Sequence, residues 1–173
     1  MRVLGISGSL RRDSHNTTLL RAARELVEEQ GAEFELFDGL KAIPPYDEDA
    51  DVEPAPRAVA ALRAQIAAAD AVLIATPEYN ASVPGVLKNA LDWASRPVKG
   101  NVLQGKPAAV IGASTGLFGA IGAEVVDREL PVMQAHMQFD EYGNVREESL
   151  RDQLAEHVAA LVAAVPEKAC ATV

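Results

Sequence analysis

The chain has 173 residues, 49% hydrophobic and 24% charged, which suits one globular domain, 1–173, and excludes a disordered chain. Its formal net charge of −9 and pI near 4.8 argue against general binding to nucleic acid or anionic membranes, although a local cluster of donors can still oppose that field. The single cysteine, Cys170, leaves no disulfide framework or cysteine metal site within the chain; with no bilayer-spanning stretch and no N-terminal signal pattern, a cytoplasmic location is expected.

In chain order, Val3 to Ser7 reads as a short buried strand, and Ser9 to His15 as a polar loop. Asn16 can cap a helix from Thr17 to about Gln30, with Leu19, Leu20, Ala23, Leu26 and Val27 on one face and Gly31 at its end. Glu33 to Phe37 alternates like a half-exposed strand, Lys41 to Pro56 is a long loop rich in proline and acid, and Arg57 to Ala69 is an alanine-rich helix. Ala71 to Thr76 is an apolar strand of the kind found inside parallel sheets. Pro84 opens a helix ending near Trp93, and Pro107 to Ala113 is another apolar strand. Ala120 to Leu130 reads as a helix, Val132 to Met137 as a short edge strand, and Glu147 to Val165 as a final amphipathic helix. This alternation predicts a doubly wound α/β fold: a five-stranded parallel sheet in the order 2-1-3-4-5 with helices on both faces. Ligands in such sheets bind at the carboxyl ends of the strands, so the loops after the first, third and fourth strands are the places to look.

The first of these loops is Gly8-Ser9-Leu10-Arg11-Arg12-Asp13-Ser14-His15-Asn16-Thr17. It leads from a buried strand into a helix N-terminus, whose free N–H groups and positive dipole end favour a phosphate. Ser9, Ser14, Asn16 and Thr17 add neutral donors and Arg11 a charged one. A phosphate monoester fits; a plain helix cap also accounts for Ser14 and Asn16, and Arg12 reads as surface charge. There is no G-x-x-x-x-G-K-[ST] and no G-x-G-x-x-G, which excludes a P-loop and the dinucleotide fingerprint. No cysteine precedes the arginines, which excludes a cysteine-based phosphatase.

The loop after the third strand, Thr76-Pro77-Glu78-Tyr79-Asn80-Ala81-Ser82-Val83-Pro84-Gly85, is stiffened by proline at both ends. A planar, partly polar ring needs such a backbone shelf and gains from an aromatic neighbour such as Tyr79. In the helix that follows, Trp93 and Asp92 read as structural. The two segments Gly8-Ser9-Leu10-Arg11…Ser14-His15-Asn16 and Pro77-Glu78-Tyr79-Asn80…Leu87-Lys88-Asn89-Ala90-Leu91-Asp92 together resemble the NAD(P)H-dependent FMN reductase family, which includes bacterial quinone and chromate reductases. The resemblance implies a flavodoxin-like fold, bound FMN, NADPH or NADH as electron donor, and homodimers or homotetramers. It matches the family's phosphate loop to Ser9, Arg11, Ser14, Asn16 and Thr17, and its flavin-ring loop to Pro77, Glu78, Tyr79 and Asn80.

In the loop after the fourth strand the resemblance assigns Ser114, Thr115 and Gly116 to the pyrimidine edge of the flavin; a flexible turn into a helix is the other reading. Ala81 and Ala120-Ile121-Gly122-Ala123 depart from the family at positions bearing on acceptor preference and assembly. The flavin carries the redox step, so no side chain is expected as an acid–base catalyst and no metal is required. The histidines His15, His136 and His157 are scattered, with His157 on a surface helix, and the acidic run Asp47 to Glu53 reads as a solvated loop. Ile43-Pro44-Pro45-Tyr46 is a further candidate wall of the flavin site. The expected activity passes electrons from NAD(P)H through FMN to a quinone, free flavin, azo compound or chromate-like oxidant. An FMN-binding electron carrier, or a regulatory protein with an empty site, are the alternatives.

Overall fold

Strand β1 (Arg2–Ser7) is buried from Val3 onward because it lies inside the sheet, flanked in parallel by β2 (Glu33–Phe37) and β3 (Ala71–Ala75). Strand β4 (Pro107–Ile111) pairs in parallel with β3, which gives the order 2-1-3-4. The computed structural model describes residues 1–80, 82–112, 124–125, 130, 132 and 137–166. Pleating sends alternate side chains to opposite faces. Leu4, Ile6, Val72, Ile74 and Val110 pack toward helices α2 (Arg57–Ala68) and α3 (Gly85–Ala94). Val3, Leu73, Ala75, Ala109 and Ile111 pack toward α1 (His15–Glu29) and the last helix, α4 (Glu148–Ala163). Two hydrophobic layers thus cover the sheet, as the nearly unbroken apolar runs of β1, β3 and β4 require.

Helix α1 starts two residues earlier than the sequence suggests: Ser14, not Asn16, is the cap, and its hydroxyl accepts from Thr17 N–H at 3.4 Å. It ends as expected at Gly31, whose φ of +74° lets Gly31 N–H reach Glu28 O and Ala32 N–H reach Val27 O. The edge beyond β4 corrects the expectation. Glu124–Val125, inside the segment read as a helix, forms a two-residue strand β5 paired with Pro107–Ala108, and Leu130 bridges Ile111 in parallel. Among the described residues, position five is held by this two-residue stretch, and the extended sheet is the four-stranded part; the segment Val132 to Met137, read as the edge strand, lies mostly outside the described residues. The apolar content of 120–130 suits either element, and packing on the free edge of β4 decides it.

His157 lies on the inner face of the last helix. It is 6% exposed, because Leu150, Leu154, His157, Val158 and Leu161 share the stripe of α4 that faces the sheet. Its Nδ1 lies 2.9 Å from Gln153 O. On the other face, the loop 43–56 is pinned to α3. Asn89 donates to Pro44 O (2.8 Å) and accepts from Tyr46 N–H (2.6 Å), and Trp93 Nε1–H donates to the same Pro44 O (2.9 Å). Arg63 bridges Asp51 and Trp93 O, so part of the acidic run is paired rather than free. Trp93 is fully buried under the edge of Tyr46, the structural anchor expected of it.

Candidate functional site

The register brings the carboxyl ends of β1, β3 and β4 level: Ser7 pairs with Ala75, and Ala75 with Ile111. The next residue of each chain continues the ladder. Gly8 N–H donates to Ala75 O (2.8 Å), Thr76 N–H to Ile111 O (3.2 Å) and Gly112 N–H to Leu130 O (3.0 Å). Three loops therefore leave the sheet side by side, at the edge where α/β folds place ligands. They meet tightly. A Cβ on Gly8 would lie 2.3 Å from Thr76 Oγ1, and one on Gly112 would lie 2.7 Å from Thr76 O and 3.4 Å from Asn16 Oδ1. Only glycine lets these backbones approach so closely.

Above this floor lies a cleft of about 590 Å³, within the size range of small-molecule sites. Ser9, Arg11, Ser14 and Asn16 line one end. Thr76, Pro77, Glu78 and Tyr79 line another part, with Gly112 from the third loop. Seven expected residues from two loops, 61 positions apart in the chain at their closest, are thus brought into one cavity. The first end is built to receive an anion. Ser9 Oγ accepts from Arg11 N–H (3.3 Å) and Ser7 Oγ from Ser9 N–H (3.4 Å), which curls the loop over the start of α1. The first turn of α1 leaves N–H groups without intrahelical partners at this end. Arg11 is exposed and makes no ion pair among the described residues.

Two expected residues stand apart from the lining. Thr17 turns its hydroxyl to Ser7 Oγ at 2.9 Å and braces the loop from below. Asn80 is exposed at the tip of a tight turn, with φ +54°, where Tyr79 N–H donates to Ser82 O (2.8 Å) and Ser82 N–H to Tyr79 O (3.1 Å). Asparagine tolerates that left-handed conformation better than most residues. Ser114, Thr115, Gly116 and Ala81 lie outside the described residues. Ile43 to Tyr46 does not line the cleft; that segment is held against α3.

Sequence reasoning missed His15, Thr76, Gly112 and Phe139 as parts of the lining. Thr76 and Gly112 could have been found, since each directly follows a buried strand. Phe139 has no local signal: it comes from a turn after the sheet, and its ring stacks on His15 with centroids 6.2 Å apart and planes within 4°. Among the described residues no group of histidine, cysteine and carboxylates is arranged to hold a metal ion, and no helix is long and apolar enough to cross a membrane.

The donor set at the α1 end suits a phosphate monoester, and the close-packed floor with a proline-stiffened rim suits a flat ring, so the residues present fit FMN. Comparisons with known proteins agree. An NAD(P)H-dependent FMN reductase of Pseudomonas aeruginosa is 43% identical over 175 residues, covering 93% of each chain. A 2-hydroxy-1,4-benzoquinone reductase of a Burkholderia species is 43% identical over 139 residues, covering 80% of this chain and 73% of its own. Among solved structures, the flavoenzyme NAD(P)H:(acceptor) oxidoreductase FerB of Paracoccus denitrificans superposes with a TM-score of 0.82 at 35% identity, covering 95% of this chain and 96% of its own. The family model described as NADPH-dependent FMN reductase matches residues 1–139, and the chain belongs to that family.

Proposed function

We propose that this protein is an NAD(P)H-dependent oxidoreductase that holds FMN in the cleft at the carboxyl ends of β1, β3 and β4 and passes electrons to a quinone. The convergence of the 8–17 loop and the 76–79 loop on one cavity carries this assignment. Arg11, Ser9 and Ser14, with the first-turn N–H groups of α1, bind the phosphate; the charged donor contributes most because its hydrogen bond is charge-assisted. Thr76, which is fully buried, and Gly112 form the floor and keep water from beneath the ring. The Pro77–Glu78–Tyr79 backbone borders the ring, with Asn80 shaping the turn that holds Tyr79 in place. Ser114, Thr115 and Gly116, two to four residues after Gly112 in the chain, are assigned to the ring's polar edge. FMN, when bound, supplies the acceptance of hydride and the release of electrons. Backbone donors near the ring's polar edge stabilise the negative charge that reduction places there.

The quinone is favoured over azo compounds or chromate-like oxidants because a relative 43% identical over most of this chain is a benzoquinone reductase. The same proposal includes a single FMN-binding domain over 1–173, a homodimer or homotetramer, and a cytoplasmic location. The test is the visible spectrum of the purified protein before and after anaerobic NADPH or NADH, followed by a benzoquinone. A yellow protein that bleaches and is recoloured by the quinone is expected. A yellow protein that does not bleach would make it an electron carrier, and a colourless one that takes up no FMN would overturn the assignment.

A further inference from the structure

We propose that the stacked His15–Phe139 pair is the wall that closes the phosphate end of the cleft and sets how slowly FMN leaves; this rests on the FMN assignment above. Both side chains line the main cleft, and both also line a second groove of about 430 Å³ between α1 and the 139–144 turn. The pair is the partition common to the two spaces. His15 is the first residue of α1, next to the Ser14 cap, so the wall stands at the end where Ser9, Arg11 and Ser14 converge.

Phe139 is delivered to this position by a rigid device. It is 9% exposed, pairs with Val145 across a bridge, and its carbonyl accepts from Arg146 Nε–H at 2.8 Å. The next residue, Asp140, organises the turn. Its Oδ1 accepts from Tyr142 N–H (2.9 Å) and Asn144 N–H (2.8 Å), its Oδ2 accepts from Asn144 Nδ2–H (2.9 Å), and its N–H donates to Asn144 O (3.0 Å). A ring so fixed, lying flat on an imidazole at the mouth of an anion site, screens the donors from water that would otherwise enter from the second groove. Charge-assisted hydrogen bonds are stronger where water is excluded. Removing the ring joins the two spaces and exposes the phosphate donors.

The experiment measures release rate and affinity for FMN and for riboflavin, which lacks the phosphate, in the wild-type chain and in Phe139→Ala, His15→Ala and His15→Phe. Phe139→Ala and His15→Ala are expected to release FMN at least about tenfold faster, a difference of about 1.4 kcal/mol, while riboflavin affinity stays within about twofold. His15→Phe keeps a flat ring and is expected to retain FMN as the wild type does. His15 is only half-buried at a helix start, so His15→Ala carries the test should Phe139→Ala fail to fold. FMN release at the wild-type rate in His15→Ala overturns the wall, as does an equal loss of FMN and riboflavin affinity. A wild-type chain that takes up no FMN overturns the functional assignment and the wall together.

Discussion

Gly112→Ala tests the close approach of the three loops, with Gly31→Ala as its control. Both glycines have left-handed φ, +87° and +74°, so an alanine at either meets the same backbone penalty of about 1 kcal/mol, partly offset by a less flexible unfolded chain. The two differ in their surroundings. A Cβ on Gly31 meets nothing within 4 Å, whereas one on Gly112 would lie 2.7 Å from the Thr76 carbonyl oxygen. That carbonyl belongs to backbone and cannot swing aside, because Thr76 N–H is bonded to Ile111 O and Gly112 N–H to Leu130 O. Overpacking of this kind adds roughly 1–3 kcal/mol at Gly112 alone. For a chain of this length that corresponds to a melting temperature roughly 2–12 °C below that of Gly31→Ala. Thermal unfolding of both variants, with and without FMN, reads the difference. FMN should raise the melting temperature of Gly31→Ala as it does the wild type, and raise that of Gly112→Ala far less. Equal melting temperatures and equal FMN stabilisation in the two variants would refute the packing argument.

Arg11→Ala should weaken FMN binding about tenfold to a hundredfold, the loss of a hydrogen bond from a charged donor, and unchanged affinity by titration would remove Arg11 from the phosphate site. Ser14→Ala should lose affinity and also about 1 kcal/mol of stability in a denaturant melt, since its hydroxyl caps α1 as well. Asn89→Ala should cost about 2 kcal/mol, because it breaks the bonds to Pro44 and Tyr46, and leave FMN affinity unchanged, because that loop does not line the cleft. Asp140 is held below the ordinary aspartate value of 3.8 by the Asn144 side-chain amide and then the Asn144 N–H, with lesser help from the Tyr142 and Gly143 N–H groups. A depressed carboxylate stabilises the turn above its unfolded pKa and loses that contribution as pH falls through its folded value. The Asp140 carboxyl should therefore titrate by NMR with a midpoint below 3.8, with the 139–144 turn loosening in the same acid range; a midpoint at or above 3.8 would contradict the turn geometry.

Much of this molecule was legible in the chain itself. The apolar runs of β1, β3 and β4, the spaced Leu19–Val27 stripe and the glycine at position 31 identify the elements, because burial on both faces demands unbroken apolar strands and a one-sided helix demands a 3.6-residue period. The alternation of those elements implies a parallel sheet, and a parallel sheet puts its ligand loops at the carboxyl ends of the strands. The donor-rich 8–17 segment and the proline-bounded 76–85 segment then stood out by composition alone. Tertiary structure decided what local pattern leaves open. Residues 120–130 are apolar enough for helix or strand, and the free edge of β4 turns Glu124–Val125 into strand. The sequence places His157 on a surface helix without saying which face it takes, and the stripe it shares with Leu154 and Leu161 buries it. Thr17 and Asn80 lie in the expected loops but face a bracing bond and a turn tip, since a loop's sequence names its residues without orienting them. Phe139 reached the cleft through a turn fixed by Asp140, a contact between segments more than 120 residues apart that only the folded chain brings together.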